Sequence, residues 1–63
     1  MDENSYRMFY AAQKNDVDTL IGLSESILDY NIQDSEGRTS LAVAASEGNL
    51  VAVKYLISKG AMQ

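Results

Sequence analysis

The 63-residue chain contains no cysteine and no histidine. Without thiols it can build neither a disulfide nor a thiolate metal site, so nothing covalent supplements its core. Without imidazole the commonest general base is missing too. Basic residues are few. The five that occur (Arg7, Lys14, Arg38, Lys54 and Lys59) are scattered against a net charge of −4. They form no stripe that could neutralise a phosphate backbone, and nucleic acid is not an expected partner. Long apolar runs are also absent. The longest, LAVAA at 41–45, falls far short of the roughly 20 residues that cross a bilayer, so no membrane partner is expected. The opening MDENSYR is acidic and lacks an apolar leader segment, and no Asn-x-Ser/Thr sequon occurs; a cytoplasmic location is the expectation.

What remains is an ordinary folded composition, 46% hydrophobic and 22% charged, which argues against disorder over most of the length. A chain this short buries only about 60% of its unfolded surface. Its stability must come from close helix packing or from neighbouring structure.

Four short helical patterns can be read along the chain. Asn4 or Ser5 can cap a first helix over 5–14, with Met8, Ala11 and Ala12 on one face. Asn15-Asp16 breaks it: Asn tolerates left-handed backbone and Asp suits the next cap. A second helix over 17–26 carries Val17, Leu20, Ile21 and Leu23, weakened by Gly22. Residues 27–33 read as a connector and 34–38 as a tight hairpin-like loop with Gly37 at positive φ. Thr39 caps a third helix over 40–47 with the face Leu41, Ala44 and Ala45. Gly48 ends it, and Asn49 caps a fourth helix over 50–59 with the face Leu50, Val53, Leu56 and Ile57. Gly60 stops the chain of helices, and Lys59 suits the negative helix end.

These patterns repeat. Ala11-Ala12 recurs as Ala44-Ala45, an offset of 33, and the same offset pairs Met8 with Leu41, Asn15 with Gly48, Val17 with Leu50, Leu20 with Val53 and Leu23 with Leu56. A fixed period of this size signals stacked units, none of which buries its apolar face alone.

The second unit closely resembles an ankyrin repeat. Asp34, Gly37, Thr39, Leu41, Ala44, Ala45, Gly48, Val53, Leu56, Gly60 and Ala61 fall in the family's register. The resemblance implies an all-α fold, an ankyrin-type helix-turn-helix solenoid of two stacked helix pairs joined by a hairpin-like loop. Residues 1–63 then form a single module, with an atypical first unit at 5–33 and a second at 34–63. Ser40 stands where the family prefers Pro. Ala42 replaces the usual His, whose ring bonds between repeats, so that inter-repeat bond is expected to be missing. Phe9 takes the corresponding place in the first unit and could cover its open end. Past Ile57 no cap is visible, and an apolar face should be left open there.

Catalysis is not expected. Ser5, Ser24, Ser26, Ser35, Ser40, Ser46 and Ser58 have no histidine to activate them. The acid pairs Asp16/Asp18 and Asp34/Glu36 include a cap and a turn residue, and the 34–38 loop is too poor in ligands for calcium. The expected function is therefore a non-catalytic protein-binding scaffold, part of a longer array, without cofactor or metal. Its expected partners are another protein or further ankyrin repeats, with self-association through the open C-terminal face as a further route. By resemblance, partners would meet Ser35, Glu36 and Arg38 at the loop tip and Ser46 and Glu47 on the inner helix. Gln13, Lys14 and Tyr10 are the matching positions in the first unit, whereas Tyr55 reads as half-buried with its hydroxyl at the rim. The alternative is a structural, regulatory or oligomerisation appendage of a metabolic enzyme, because the segments FYAAQKNDVDTL and QDSEGRTSLAVAASEGN are similar to the ankyrin tails of glutaminase-type enzymes.

Overall fold

Four helices in two antiparallel pairs make up the computed structural model, which describes residues 2–27 and 29–61. They are α1 (Glu3–Lys14), α2 (Val17–Gly22), α3 (Ser40–Ser46) and α4 (Leu50–Ser58), with no strand among the described residues. The body measures 25 × 25 × 19 Å. A helix with its side chains is about 10 Å across, so the body is about two helices deep. The inner helices α1 and α3 pack on each other, as do the outer helices α2 and α4.

Each helix begins and ends for a local reason. Asp2, not Asn4 or Ser5, caps α1: its carboxylate accepts the Ser5 N–H at 2.8 Å, so the helix starts at Glu3. Ser5 thereby falls inside the helix and is buried. Asp16 caps α2 through the Thr19 N–H and Thr39 caps α3 through the Ala42 N–H. At the ends of α1 and α3, Asn15 (φ 57°) and its register mate Gly48 (φ 73°) adopt the left-handed backbone. That reversal lets the next amide reach back five residues, Asp16 to the Ala11 carbonyl and Asn49 to the Ala44 carbonyl, both at 2.9 Å. These are Schellman closures, which satisfy carbonyls that a helix end otherwise leaves bare. Gly37 and Gly60 also take positive φ.

The helix α2 is shorter than the sequence pattern suggests. It stops at Gly22, and residues 23–26 continue as turns. The glycine removes local helical preference just where the chain must bend toward the connector. That connector is not a passive loop. Ile27 and Tyr30 are buried in the core with Met8, Ala11, Ala12, Leu20 and Leu23, facing Leu41, Ala44, Ala52 and Leu56 of the second pair. The expected face of α2 is corrected at Ile21, which turns outward, and Val43 and Ala52 are buried. Ala45, Leu50 and Ile57 are exposed, on the apolar face of the second unit that is expected to be open.

The seam between the pairs is both apolar and hydrogen-bonded. Ala11, Ala12 and Ala44 are small and buried, so the inner helices can approach closely. Asn49 makes no side-chain cap on its own helix. Its amide instead reaches across the seam and donates to the Ala12 and Gln13 carbonyls at 2.8 and 2.9 Å. In return the Asn15 side-chain oxygen accepts the Ala52 N–H at 3.2 Å. The half-buried Tyr55 donates its hydroxyl to the Leu20 carbonyl at 3.4 Å. Ala42 does leave a histidine position without a donor, but inter-pair hydrogen bonding persists through these side chains. Each such bond contributes about 1 kcal/mol net.

Ser40, the first residue of α3, is fully buried, and among the described residues its hydroxyl has no hydrogen-bond partner. The amide at this helix position has no intrahelical acceptor. Thr39 before it is extended, at φ −89° and ψ 165°, as a residue preceding proline must be. Ser40→Pro should therefore stabilise the fold by about 1 kcal/mol, by removing an unmet hydroxyl and reducing unfolded-state freedom. Urea unfolding followed by circular dichroism checks this, and a lower midpoint would contradict it. Leu56→Ala, which empties a fully buried site, should cost about 2–5 kcal/mol.

Candidate functional site

A groove of about 620 Å³ runs between the inner helices and the 33–38 loop. Tyr6, Phe9, Tyr10 and Gln13 enter it from α1. They follow the i, i+3, i+4, i+7 spacing of one helical stripe, turned away from the Met8–Ala12 core face. Val43, Ser46 and Glu47 enter from α3 and its end. Gln33, Asp34, Ser35 and Arg38 form the loop wall.

Of the residues that the sequence nominated, Tyr10, Gln13, Ser35, Arg38, Ser46 and Glu47 meet in this one groove. Lys14 and Glu36 do not line it. Lys14 stands beside it with its ammonium 5.6 Å from the centre of the Tyr10 ring. Glu36 pairs with the Arg38 guanidinium at 3.2 Å. Tyr6, Phe9, Gln33, Asp34 and Val43 were missed. The i, i+3, i+4, i+7 spacing of this aromatic stripe stands in the sequence, but spacing alone does not separate it from the core-facing Met8, Ala11 and Ala12. Phe9 packs half-buried against the core on the groove side, between the two pairs, and not over an outer end.

Tyr6 and Tyr10 are 65% and 64% exposed. Two large aromatic side chains open to water in one concavity form a surface suited to contact, since tyrosine offers wide amphipathic area at little entropic cost.

The loop wall is rigid because one carboxylate organises it. Asp34 Oδ1 accepts the N–H groups of Glu36 and Arg38, each at 2.9 Å. Its Oδ2 accepts Arg38 Nε at 3.2 Å. The backbone closes the same turn, with the Asp34 N–H on the Arg38 carbonyl at 2.8 Å and Gly37 N–H on the Asp34 carbonyl at 3.0 Å. Gln33 Nε2 adds a bond to the Gly37 carbonyl at 3.0 Å. Arg38 is thus held between two acids, and its charge is largely spent inside the loop. Glu47, at the opposite lip, has no ion-pair partner among the described residues.

The Arg38 N–H, then the Glu36 N–H and the Arg38 guanidinium, hold the Asp34 carboxyl below its ordinary value of 3.8. Asp16 is lowered by the Thr19 hydroxyl and N–H, and Asp2 by Ser5. Among the described residues no group of three or more His, Cys, Asp or Glu is placed to hold a metal ion. No described helix is long and apolar enough to cross a membrane.

Over residues 3–63 the chain matches the family described as ankyrin repeats (3 copies). It is 45% identical over 51 residues to an L-asparaginase of Dirofilaria immitis, which covers 81% of this chain and 9% of that protein. It is 40% identical over 50 residues to the mitochondrial liver isoform of glutaminase from Mus musculus, covering 79% of this chain and 8% of that protein. The chain therefore spans less than a tenth of the length of either curated relative.

A depressed carboxyl stabilises the fold above its unfolded-state pKa, and that contribution is lost as pH falls through the folded-state value. Stability should thus decline below about pH 4 as Asp2, Asp16 and Asp34 take up protons. Asp34→Asn keeps an oxygen for the two amides but has no charge for Arg38 and nothing to titrate. The variant should be less stable than the parent at pH 7, with the gap closing by about pH 2. Thermal melts of both proteins across this range check the sign; a gap that widens on acidification would refute it.

Proposed function

Because the chain belongs to the ankyrin-repeat family, we propose that it is a non-catalytic protein-binding module that takes a partner segment along the groove between α1, α3 and the 33–38 loop. Its two helix pairs are read as an atypical first unit at 5–33 and a second at 34–63, within a longer array. The observation that carries the binding site is the pair of water-exposed tyrosines, Tyr6 and Tyr10, beside the buried Val43 in a concavity walled by a stiff loop. Tyr6 and Tyr10 would anchor the partner. Gln13, Ser35, Ser46 and Glu47 would offer polar contacts at the lips. Arg38 would present its outer edge, and Lys14 and Glu36 would act as neighbours of Tyr10 and Arg38. A standard interface takes about 800 Å² from each partner, so a groove this short is suited to a peptide-sized contact or to one part of a larger surface.

An appendage of a larger enzyme is the second reading, and the two relatives named as an asparaginase and a glutaminase favour it. On that reading the segment holds subunits or domains together and leaves amide hydrolysis to the rest of the protein. The chain has no histidine or cysteine for such chemistry.

Peptides selected against the full chain from a random displayed library test the groove. Selected peptides should shift the amide resonances of Tyr10, Gln13, Ser46 and Glu47. They should bind at least about tenfold more weakly to Tyr6→Ala/Tyr10→Ala, the loss expected from an aromatic hot spot. Peptides that shift only α2 and α4, and bind the double variant unchanged, would remove the groove from the site.

A further inference from the structure

The charges around the groove are unevenly matched. Of the basic residues, Arg7 pairs with Glu3 at 3.3 Å, and Arg38 pairs with Asp34 and Glu36 at 3.2 Å each. Lys54 and Lys59 belong to α4 and its end and do not line the groove. On the groove walls Asp34 and Arg38 cancel, which leaves the Glu47 carboxylate uncompensated. Its side chain is exposed and makes no ion pair among the described residues.

Lys14 shows what the tyrosines attract. The 33-residue register sets Val43 opposite Tyr10 and Glu47 opposite Lys14. Glu47 therefore stands one helical turn along from the residue that faces Tyr10. Lys14 forms no salt bridge with Glu47. Its ammonium lies 5.6 Å from the centre of the Tyr10 ring instead, over the negative face that draws cations. Tyr6, one turn earlier on α1, is as exposed as Tyr10 and has no cation over it among the described residues. The groove thus combines two open rings with one free carboxylate.

We propose that the groove recognises an arginine of its partner segment, whose guanidinium lies against the exposed Tyr6–Tyr10 pair and meets the Glu47 carboxylate. This rests on the groove as the binding site and adds the chemistry of what it takes. Arginine is favoured over lysine because its planar group stacks on a ring and bonds a carboxylate through two parallel N–H groups, whereas an ammonium is a strongly hydrated point charge. An acidic segment is disfavoured. Arg38 is already held by two acids, and the net charge of −4 repels a further anion. Lys14 is then a competitor. It covers one tyrosine face in the free chain and swings away on its flexible stem when the guanidinium arrives.

The test uses the full chain and the groove-binding peptides that the displayed library yields. Arginine should recur at one position in them. Replacing that arginine by citrulline, which keeps the shape and removes the charge, should weaken binding at least about tenfold. Against Glu47→Gln the same replacement should cost less than about threefold, because the charge then has no carboxylate to meet. Lys14→Ala should bind the arginine peptides about twofold tighter or more, since it frees the ring and removes a like charge. Glu47 and Lys14 are both exposed, so neither variant empties the core. Groove peptides without a recurring arginine, or an equal citrulline cost against parent and Glu47→Gln, would overturn the arginine proposal and leave the groove as the site. So would weaker binding by Lys14→Ala, the mark of an anionic partner. Peptides that shift no amide of Tyr10, Gln13, Ser46 or Glu47 would overturn both.

Discussion

With no disulfide to close its loops, a chain of 63 residues can hold its helices only by pressing their apolar sides together, and here that contact is made across a single seam. Neither helix pair has enough of a core by itself. Met8, Leu20 and Leu56 are fully buried in one cluster to which both pairs contribute. Apolar contact supplies most of the free energy, yet it does not choose a register, since alanines slide past alanines easily. The choice is made by Asn49, whose two bonds to consecutive carbonyls of α1 fix both the height and the rotation of the second pair. A slip along the helix axis would break both bonds of this half-buried amide, at about 1 kcal/mol net each.

The groove follows from that registration. Its floor is drawn from α1 and α3, so its width is the spacing of the inner helices. Small residues at Ala11, Ala12 and Ala44 set that spacing. Its wall is drawn from the connector, whose buried Ile27 and Tyr30 tie it to the core. From there the chain passes into the loop that Asp34 closes upon itself. The candidate site is therefore built on elements with their own internal hydrogen bonds. Its open tyrosines sit on a helix and its polar lip sits on a turn with several internal hydrogen bonds. Preorganisation of this kind lowers the entropic cost of capturing a partner.

Much of this was legible in the sequence, for reasons that can be located. The period of 33 was visible because glycines, caps and alanines recur at fixed places, and those are the residues whose backbone or size requirement admits few substitutes. The left-handed ends at Asn15 and Gly48 and the caps Asp16 and Thr39 stand where they were expected. Legibility failed wherever a side chain had two plausible uses. Asn49 was read as a cap, and it does occupy the cap position, but its amide was drawn away by the bare carbonyls of α1. Asp2 was overlooked because Asn4 and Ser5 compete for the same role. Tyr30 lies in the connector, and nothing local in the sequence marks a buried loop residue. Ile21 matches the apolar pattern of a buried face, yet it is exposed, whereas Ala45, Leu50 and Ile57 are exposed on the face expected to be open. Helical periodicity reports which residues share a side of a helix, but it carries no information about whether anything lies against that side.

One repeated pattern can also hold different side chains at matching positions. In this chain the first pair carries a carboxylate and a glycine, Asp16 and Gly22, where the second carries an amide and a tyrosine, Asn49 and Tyr55. The exchange leaves the helices intact, because Asp16 is the better cap for its own helix: a charged acceptor at a helix start gains from the exposed amides and the helix dipole. The same oxygen that strengthens α2 deprives the face of a donor. Capping one's own helix and bonding to the preceding pair are thus competing uses of a single position, taken the first way by Asp16 and the second way by Asn49.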